Sequence, residues 1–126
     1  MVRLVVPIES FDIERSVVFP HFGRAPEFAV DLSGEGRVIS ITSERNLGEH
    51  FGGHGGAETV VTSLKPDALV VKGMGPRGLA AFQNSGIAVL TGSVSNLGEA
   101  VEAYLAGRLV CLTEPCKDAR RGLLHS

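Results

Sequence analysis

The sequence lacks the features of several protein classes. No apolar stretch among its 126 residues approaches the roughly 20 residues that a helix needs to cross a bilayer. The N-terminal segment MVRLVVPIES has one basic residue, and its short apolar run is interrupted by Pro7. That pattern is typical of a first strand and not of a secretion signal. We therefore expect a cytoplasmic protein that does not contact a membrane.

A basic surplus and a cysteine framework are also missing. The formal net charge is −2, whereas proteins that bind nucleic acid usually carry a basic surface. The two cysteines, Cys111 and Cys116, are too few for a disulfide framework and lack the C-x-x-C spacing of a structural zinc site. We expect both thiols to be reduced, with Cys111 as a small buried hydrophobic residue.

Signatures of catalysis are absent from the sequence. The first apolar run carries no carboxylate before Glu9, whereas a nuclease of the ribonuclease H type needs carboxylates there to hold two metal ions. There is no G-x-S-x-G elbow, and no serine or cysteine has an evident base partner. We interpret Asp31 and Asp67 as turn or edge residues near strand ends. The sequence therefore favours a protein that is not an enzyme.

What the sequence does contain is an alternation of strand and helix patterns. A nearly continuous run of β-formers over residues 2–8 predicts a central strand. Residues 27–32 and 37–42 flank SGEG, which predicts a hairpin. Further spacing predicts helices near 57–64, 76–84 and 96–106, and strands near 67–71, 87–90 and 110–112.

This order predicts a three-layer α/β fold of the ribonuclease H-like kind, with a mixed sheet of about five strands. Residues 1–112 are expected to form a single domain. Residues 113–126 show no repeating pattern and are interpreted as a C-terminal tail.

Three separated segments are expected to meet at one edge of that sheet. The carboxyl ends of parallel strands share an edge, and the first hairpin strand must start from it. PHFGRAP (residues 20–26), the glycine-rich loop 44–56 and GMGPRG (residues 73–78) therefore come together. Arginines, glycine amides and helix starts attract anions, so an anionic ligand is expected there. The candidate residues are His21, Arg24, His50, His54, Gly73, Gly75 and Arg77.

The glycine motifs and the histidines each have a simpler interpretation that remains open. Neither glycine motif is a phosphate loop, because GGHGGAET lacks the lysine and GMGPRG is not a full G-x-G-x-x-G/A, so the glycines could form simple turns. His50 and His54 are four residues apart among glycines that disfavour a helix. In a loop they could close on iron or zinc with His21 as third ligand, or each could be a surface histidine.

The segments HFGRAP, GEHFGGHGG, DALVVKGMGPRGLAAF and EAVEAYLAGRL occur in this order and resemble the dinitrogenase iron–molybdenum cofactor biosynthesis family. The resemblance covers nearly all of residues 1–112. It implies a ribonuclease H-like fold without nuclease activity, and a protein that carries iron–sulfur or iron–molybdenum cofactor precursors. It also implies that His21 and Arg24 belong to the HFGRA segment, His50 and His54 to a histidine loop, and Gly73, Gly75 and Pro76 to a G-x-G-P turn.

The leading hypothesis is a non-enzymatic carrier of an anionic metallocluster, with other cofactor-assembly proteins as partners. In this hypothesis the metal ligands are His21, His50 and His54, and the electrostatic partners are Arg24, Arg77 and the amides of Gly73 and Gly75. One alternative is a metal-free interaction or regulatory module that binds a partner protein through an exposed sheet edge. Another is an enzyme that acts on a phosphorylated small molecule at the same edge.

Overall fold

Strand β1 (Val2–Ile8) lies in the middle of the sheet and is buried on both faces, as its apolar run predicts. The computed structural model describes residues 1–46 and 56–114. Its further strands are β2 (Glu27–Gly34), β3 (Arg37–Arg45), β4 (Ala68–Val71), β5 (Ala88–Thr91) and β6 (Val110–Cys111). Its helices are α1 (Gly56–Ser63), α2 (Pro76–Asn84) and α3 (Leu97–Leu105), and Phe22–Arg24 form a 3-10 turn.

The six-stranded sheet has the order β3-β2-β1-β4-β5-β6. Strand β1 pairs antiparallel with β2 and parallel with β4, and β4 pairs parallel with β5. Because Ile8 lies opposite Glu27, β2 begins where β1 ends. We call this border the carboxyl edge. The α/β class and the mixed sheet are confirmed, with six strands in place of about five, while the ribonuclease H-like label stays a prediction.

Helices cover the two faces of the sheet and make two apolar cores. Alternate residues of β1 point to opposite faces, so Leu4 and Val6 pack on the side of α3, whereas Val5 packs on the side of α1 and α2. Both cores contain residues of β1, β4 and β5. The division into a domain of residues 1–112 and a tail stays a prediction, because residues 115–126 lie outside the described part.

The predicted turn and cap residues have the expected geometry. The hairpin turn uses Glu35 and Gly36, both at positive φ (53° and 74°), as a two-residue hairpin turn requires. Helix α3 begins after Asn96, whose side-chain oxygen accepts the Glu99 N–H at 2.9 Å. Gly107 follows this helix at a positive φ of 69°.

Cys111 differs from expectation. It packs against the α3-side core as a partly buried residue, but it is disulfide-bonded and not a reduced thiol. We expected a reduced thiol because we expected a cytoplasmic protein. A compartment inferred from the sequence does not determine whether an individual cysteine forms a disulfide bond. Cys116 lies outside the described residues.

Asp31 is the buried carboxylate of the described chain, in the middle of β2 and not at a strand end. Its Oδ2 accepts the Ser33 hydroxyl at 2.6 Å. Burial raises the pKa of the Asp31 carboxyl above its ordinary value of 3.8, and the Ser33 hydrogen bond opposes this with a smaller effect. The sequence-based assignment of Asp31 to a turn or edge is therefore wrong, because β2 is covered by β1 and β3 on both sides.

We expect Asp31→Asn to change the pH dependence of stability. Since the folded pKa exceeds the unfolded pKa, the folded chain keeps the proton longer, and ionising Asp31 lowers stability as pH rises above 3.8. The wild type should therefore lose free energy of unfolding relative to Asp31→Asn between acidic and neutral pH, as measured by urea denaturation. Asp12→Asn, at an exposed position, is the control. An equal difference between wild type and Asp31→Asn at both ends of the range would contradict this prediction.

Candidate functional site

A cavity of about 670 Å³ opens at the carboxyl edge, and we call it the edge cavity. The 20–24 segment forms one wall, and the turn between β4 and α2 forms another. The first turn of α1 adds a third wall through Glu58. The lining residues are Pro20, His21, Phe22, Gly23, Arg24, Glu58, Gly73, Met74, Gly75 and Gly78.

Phe22 fixes the first wall to the core. Its side chain is 4% exposed, and its ring lies 5.4 Å from Phe28 and 5.5 Å from Phe82, measured between ring centroids. The neighbouring His21 and Arg24 are exposed. The 3-10 turn closes when the Arg24 N–H donates to the His21 carbonyl at 3.0 Å. A buried aromatic ring thus holds two polar side chains at the cavity.

The end of β3 fixes the other side of this segment. The Asn46 side-chain amide donates to the Ala25 carbonyl at 2.9 Å, and the Asn46 backbone N–H donates to the Pro26 carbonyl at 3.0 Å. The 20–26 segment is therefore tied to the sheet at the border where β2 begins and β3 ends.

The second wall is the turn into α2. Gly75 is the N-cap residue, with φ −70° and ψ 165°, and Pro76 is the first helical residue. No side chain caps this helix start, so its first N–H groups have no partner inside the helix. A Cβ at Gly73 or Gly75 would meet no atom within 4 Å. Since neither residue has a positive φ, glycine contributes an absent side chain here and not a left-handed turn.

Gly78 brings Met74 close to the helix. A Cβ at Gly78 would lie 2.9 Å from both Cγ and Sδ of Met74, and 3.7 Å from a carboxylate oxygen of Glu58. The thioether and the carboxylate therefore lie beside the same face of α2. This face is the one that lines the cavity.

Side chains of opposite charge and an imidazole line the same cavity. Arg24 contributes a guanidinium, His21 an imidazole and Glu58 a carboxylate. Arg24 has no ion-pair partner within residues 1–46 and 56–114. The same residues contain no group of three or more His, Cys, Asp or Glu side chains that could hold a metal ion.

Four of the predicted site residues line this one cavity: His21, Arg24, Gly73 and Gly75. Arg77 does not line it and is exposed on α2. His50 and His54 lie outside the described residues. The sequence interpretation missed Met74, Gly78 and Glu58. An acidic residue in the first turn of a helix was the available signal for Glu58, because helix starts favour negative charge.

Comparisons with known proteins agree with this architecture. The family model described as dinitrogenase iron-molybdenum cofactor matches residues 2–107. The chain belongs to this family. The match confirms the resemblance that the motifs indicated, and it relates the protein to cofactor assembly. In the described ranges, no helix is long and apolar enough to cross a membrane.

Individual relatives are similar over most of their length. An uncharacterized protein of Methanocaldococcus jannaschii is 23% identical over 112 residues, which cover 86% of this chain and 90% of the relative. The apo form of the orange protein from Desulfovibrio gigas has a TM-score of 0.75 and 25% identity, covering 88% of this chain and 92% of that protein. A Thermotoga protein of the DUF35 family has a TM-score of 0.70 and 24% identity, covering 90% and 96%.

We expect Phe22→Ala to destabilise the protein by about 3 kcal/mol, because it removes a buried ring from a three-ring cluster. Urea denaturation of both proteins measures the difference. Phe11→Ala is the matched control, since Phe11 is 37% exposed and should change stability by less than about 1 kcal/mol. Equal losses in the two variants would show that Phe22 does not anchor the segment.

Proposed function

We propose that this protein is a non-enzymatic carrier of an iron–sulfur or iron–molybdenum-type metallocluster, or of its precursor, in the edge cavity. The observation that carries the proposal is the mixed donor set of that cavity in a chain of this family. Imidazole, thioether, carboxylate and guanidinium all line one opening, beside a helix start without a side-chain cap.

The charges favour a metallocluster over a simple anion. Arg24 and the first N–H groups of α2 attract negative charge, as a phosphate or a sulfide-rich cluster would supply. Glu58 would repel a phosphate at the same place. Toward the metal ions of a cluster, however, the Glu58 carboxylate, the His21 imidazole and the Met74 thioether are potential ligands.

The residue types also favour cargo over a permanent cofactor. Resident iron–sulfur clusters are held mainly by cysteine thiolates, and no cysteine is among the lining residues of the described chain. A few weaker ligands in an open cavity allow a cluster to be received and then released. His50 and His54 remain part of the proposal as further ligands from the loop.

Relatives supply indirect support. The orange protein of Desulfovibrio gigas has an apo form, and an apo form implies a form with a bound ligand. On the basis of the similar fold, we propose that this chain also alternates between an empty and a loaded form. Other cofactor-assembly proteins are the proposed partners, and a cytoplasmic location remains part of the proposal.

Anaerobic reconstitution with iron, sulfide and molybdate tests the function. We expect bound metal and sulfide, with visible absorbance, in the wild type. The His21/His50/His54→Ala triple variant should bind little, and Arg24→Gln should bind at least about tenfold more weakly because a charged hydrogen-bond donor is lost. Arg108→Gln is the charge-matched control, since Arg108 pairs instead with Glu102 at 3.8 Å. The same metal content in the wild type and the triple variant would exclude the proposal.

A second candidate is the metal-free interaction module. Strand β3 forms one border of the sheet and is exposed along most of its length, including Val38 and Ile39. Such an edge can pair with a strand of another protein. The reconstitution experiment separates the two functions, because an interaction module binds no metal above the triple-variant level.

We expect Gly78→Ala to weaken cluster binding without unfolding the protein. The new Cβ must displace the flexible Met74 side chain, which lies 2.9 Å away. Alanine also stabilises a helix by about 0.5–1 kcal/mol relative to glycine, which offsets that displacement. Urea denaturation and the metal content after reconstitution measure both effects.

Met74→Ala provides the control for this displacement. If Gly78→Ala acts by moving Met74, it should cause no further loss of cluster binding in the Met74→Ala background. An equal loss with and without Met74 would show that the methionine is not involved.

A further inference from the structure

A second cavity, of about 520 Å³, lies between α3 and the β2–β3 hairpin, and we call it the α3-side cavity. It shares no described lining residue with the edge cavity, and it belongs to the opposite face of the sheet. Its volume is in the range of about 300–1,000 Å³ that is usual for small-molecule sites. The lining residues are Glu14, Asp31, Gly36, Val38, Ile41, Leu97, Gly98, Val101, Glu102, Leu105 and Ala106.

Asp31 gives this cavity an unusual polar group. The side chain is 0% exposed, and Oδ2 accepts the Ser33 hydroxyl at 2.6 Å. Oδ1 has no hydrogen-bond partner within the described part of the chain. Buried charged groups are normally paired, because removal from water is costly without a partner. Asp31 lines the cavity but is covered from water, so a ligand that displaces the covering side chains and donates a hydrogen bond would provide this missing partner.

The surrounding charges indicate which kind of donor fits. Glu14 and Glu102 also line the cavity, and no lysine, arginine or histidine is among its described lining residues. Arg108 pairs with Glu102 at 3.8 Å, but both side chains are largely exposed, so this pair neutralises little of the cavity's charge. Burial raises the pKa of Asp31 and the Ser33 hydrogen bond opposes this only in part, so a positive charge beside Oδ1 is what would favour the ionised carboxylate.

The rest of the lining is aliphatic. Leu97 and Val101 come from α3 and are buried, and Ile41 comes from β3. An apolar body can therefore pack between the helix and the hairpin, and a cationic nitrogen at its end can reach the carboxylate once the covering side chains move aside. We propose that the α3-side cavity binds a small organic ammonium ion with an aliphatic body, whose N–H group donates to Oδ1 of Asp31. This site is independent of the proposed carrier function.

A titration followed by NMR tests the proposal on the full chain. The probes are cyclohexylammonium chloride and cyclohexanol, which have a similar ring but differ in charge, at matched ionic strength. We expect saturable amide shifts for the ammonium probe around Asp31 on β2 and Val101 on α3. Cyclohexanol should bind at least about tenfold more weakly, because its hydroxyl can donate to the carboxylate but brings no positive charge to it.

Asp31→Asn should reduce binding of the ammonium probe at least about tenfold, because it removes the charge and keeps the shape. Asp12→Asn, which removes an exposed carboxylate elsewhere, should bind as the wild type does. The comparison of the two probes uses the wild type alone, so it stands even if Asp31→Asn folds poorly.

Three results would overturn the proposal. One is the absence of saturable shifts in the wild type at millimolar cyclohexylammonium, which would show that Asp31 is simply a buried carboxyl group. The second is equal affinity for cyclohexanol, and the third is shifts confined to residues away from β2 and α3. Cluster binding at the edge cavity is measured separately by reconstitution. A negative result for the ammonium probe therefore leaves the carrier function untouched, and a negative reconstitution leaves the ammonium site untouched.

Discussion

The pairing of β1 with an antiparallel strand on one side and a parallel strand on the other determines where everything else lies. Because β2 runs against β1, it starts beside Ile8, where β1 ends. Because β4 and β5 run with β1, they end at the same border. The 20–26 segment, the end of β3 and the turn into α2 must therefore meet there. The edge cavity is a consequence of strand direction before any ligand is considered.

Hydrophobic burial then gives this border a rigid wall. Phe22 belongs to the segment that lines the cavity, yet its ring packs with Phe28 of β2 and Phe82 of α2. A ligand at His21 or Arg24 thus contacts a segment that is anchored in the core. The turn on the other side is open because it lacks side chains at Gly73 and Gly75. The 20–24 segment carries the polar side chains, and the turn between β4 and α2 leaves space for a ligand beside them.

Much of this could be predicted from the sequence, because it depends on patterns of apolar and turn residues. The run over residues 2–8, the SGEG turn and Asn96 each specify their local structure, and the strand directions follow from the element order. Side-chain direction could not be predicted in the same way. Successive helical residues point about 100° apart, so Gly78 faces the cavity while Arg77 next to it does not.

Asp31 shows a second kind of limit. In a strand that is polar on one face, the alternation of residues reveals which side is buried. In β2 both faces carry buried residues, with Phe28 on one side and Ala29 on the other, so no alternation marks Asp31 as buried. The spatial positions of His50 and His54 could not be predicted from the sequence either, because a glycine-rich loop has no helical or strand period that relates the two side chains.

The two cavities differ in charge for a structural reason. At the carboxyl edge, helix starts and loops provide N–H groups and Arg24, so the positive end of α2 faces the opening. Behind the hairpin, α3 lines the cavity from its first residues onward, but the Leu97 and Gly98 N–H groups already donate to the Ser16 and Glu14 carbonyls. The charged side chains among the described lining residues there are carboxylates. One sheet therefore separates an opening lined by an arginine, a helix start and a carboxylate from a cavity whose charged side chains, among the described lining residues, are all acidic. An ionised Asp31 at this buried position lowers stability when it has no partner, and the ammonium ion that we propose for this cavity would offset that loss.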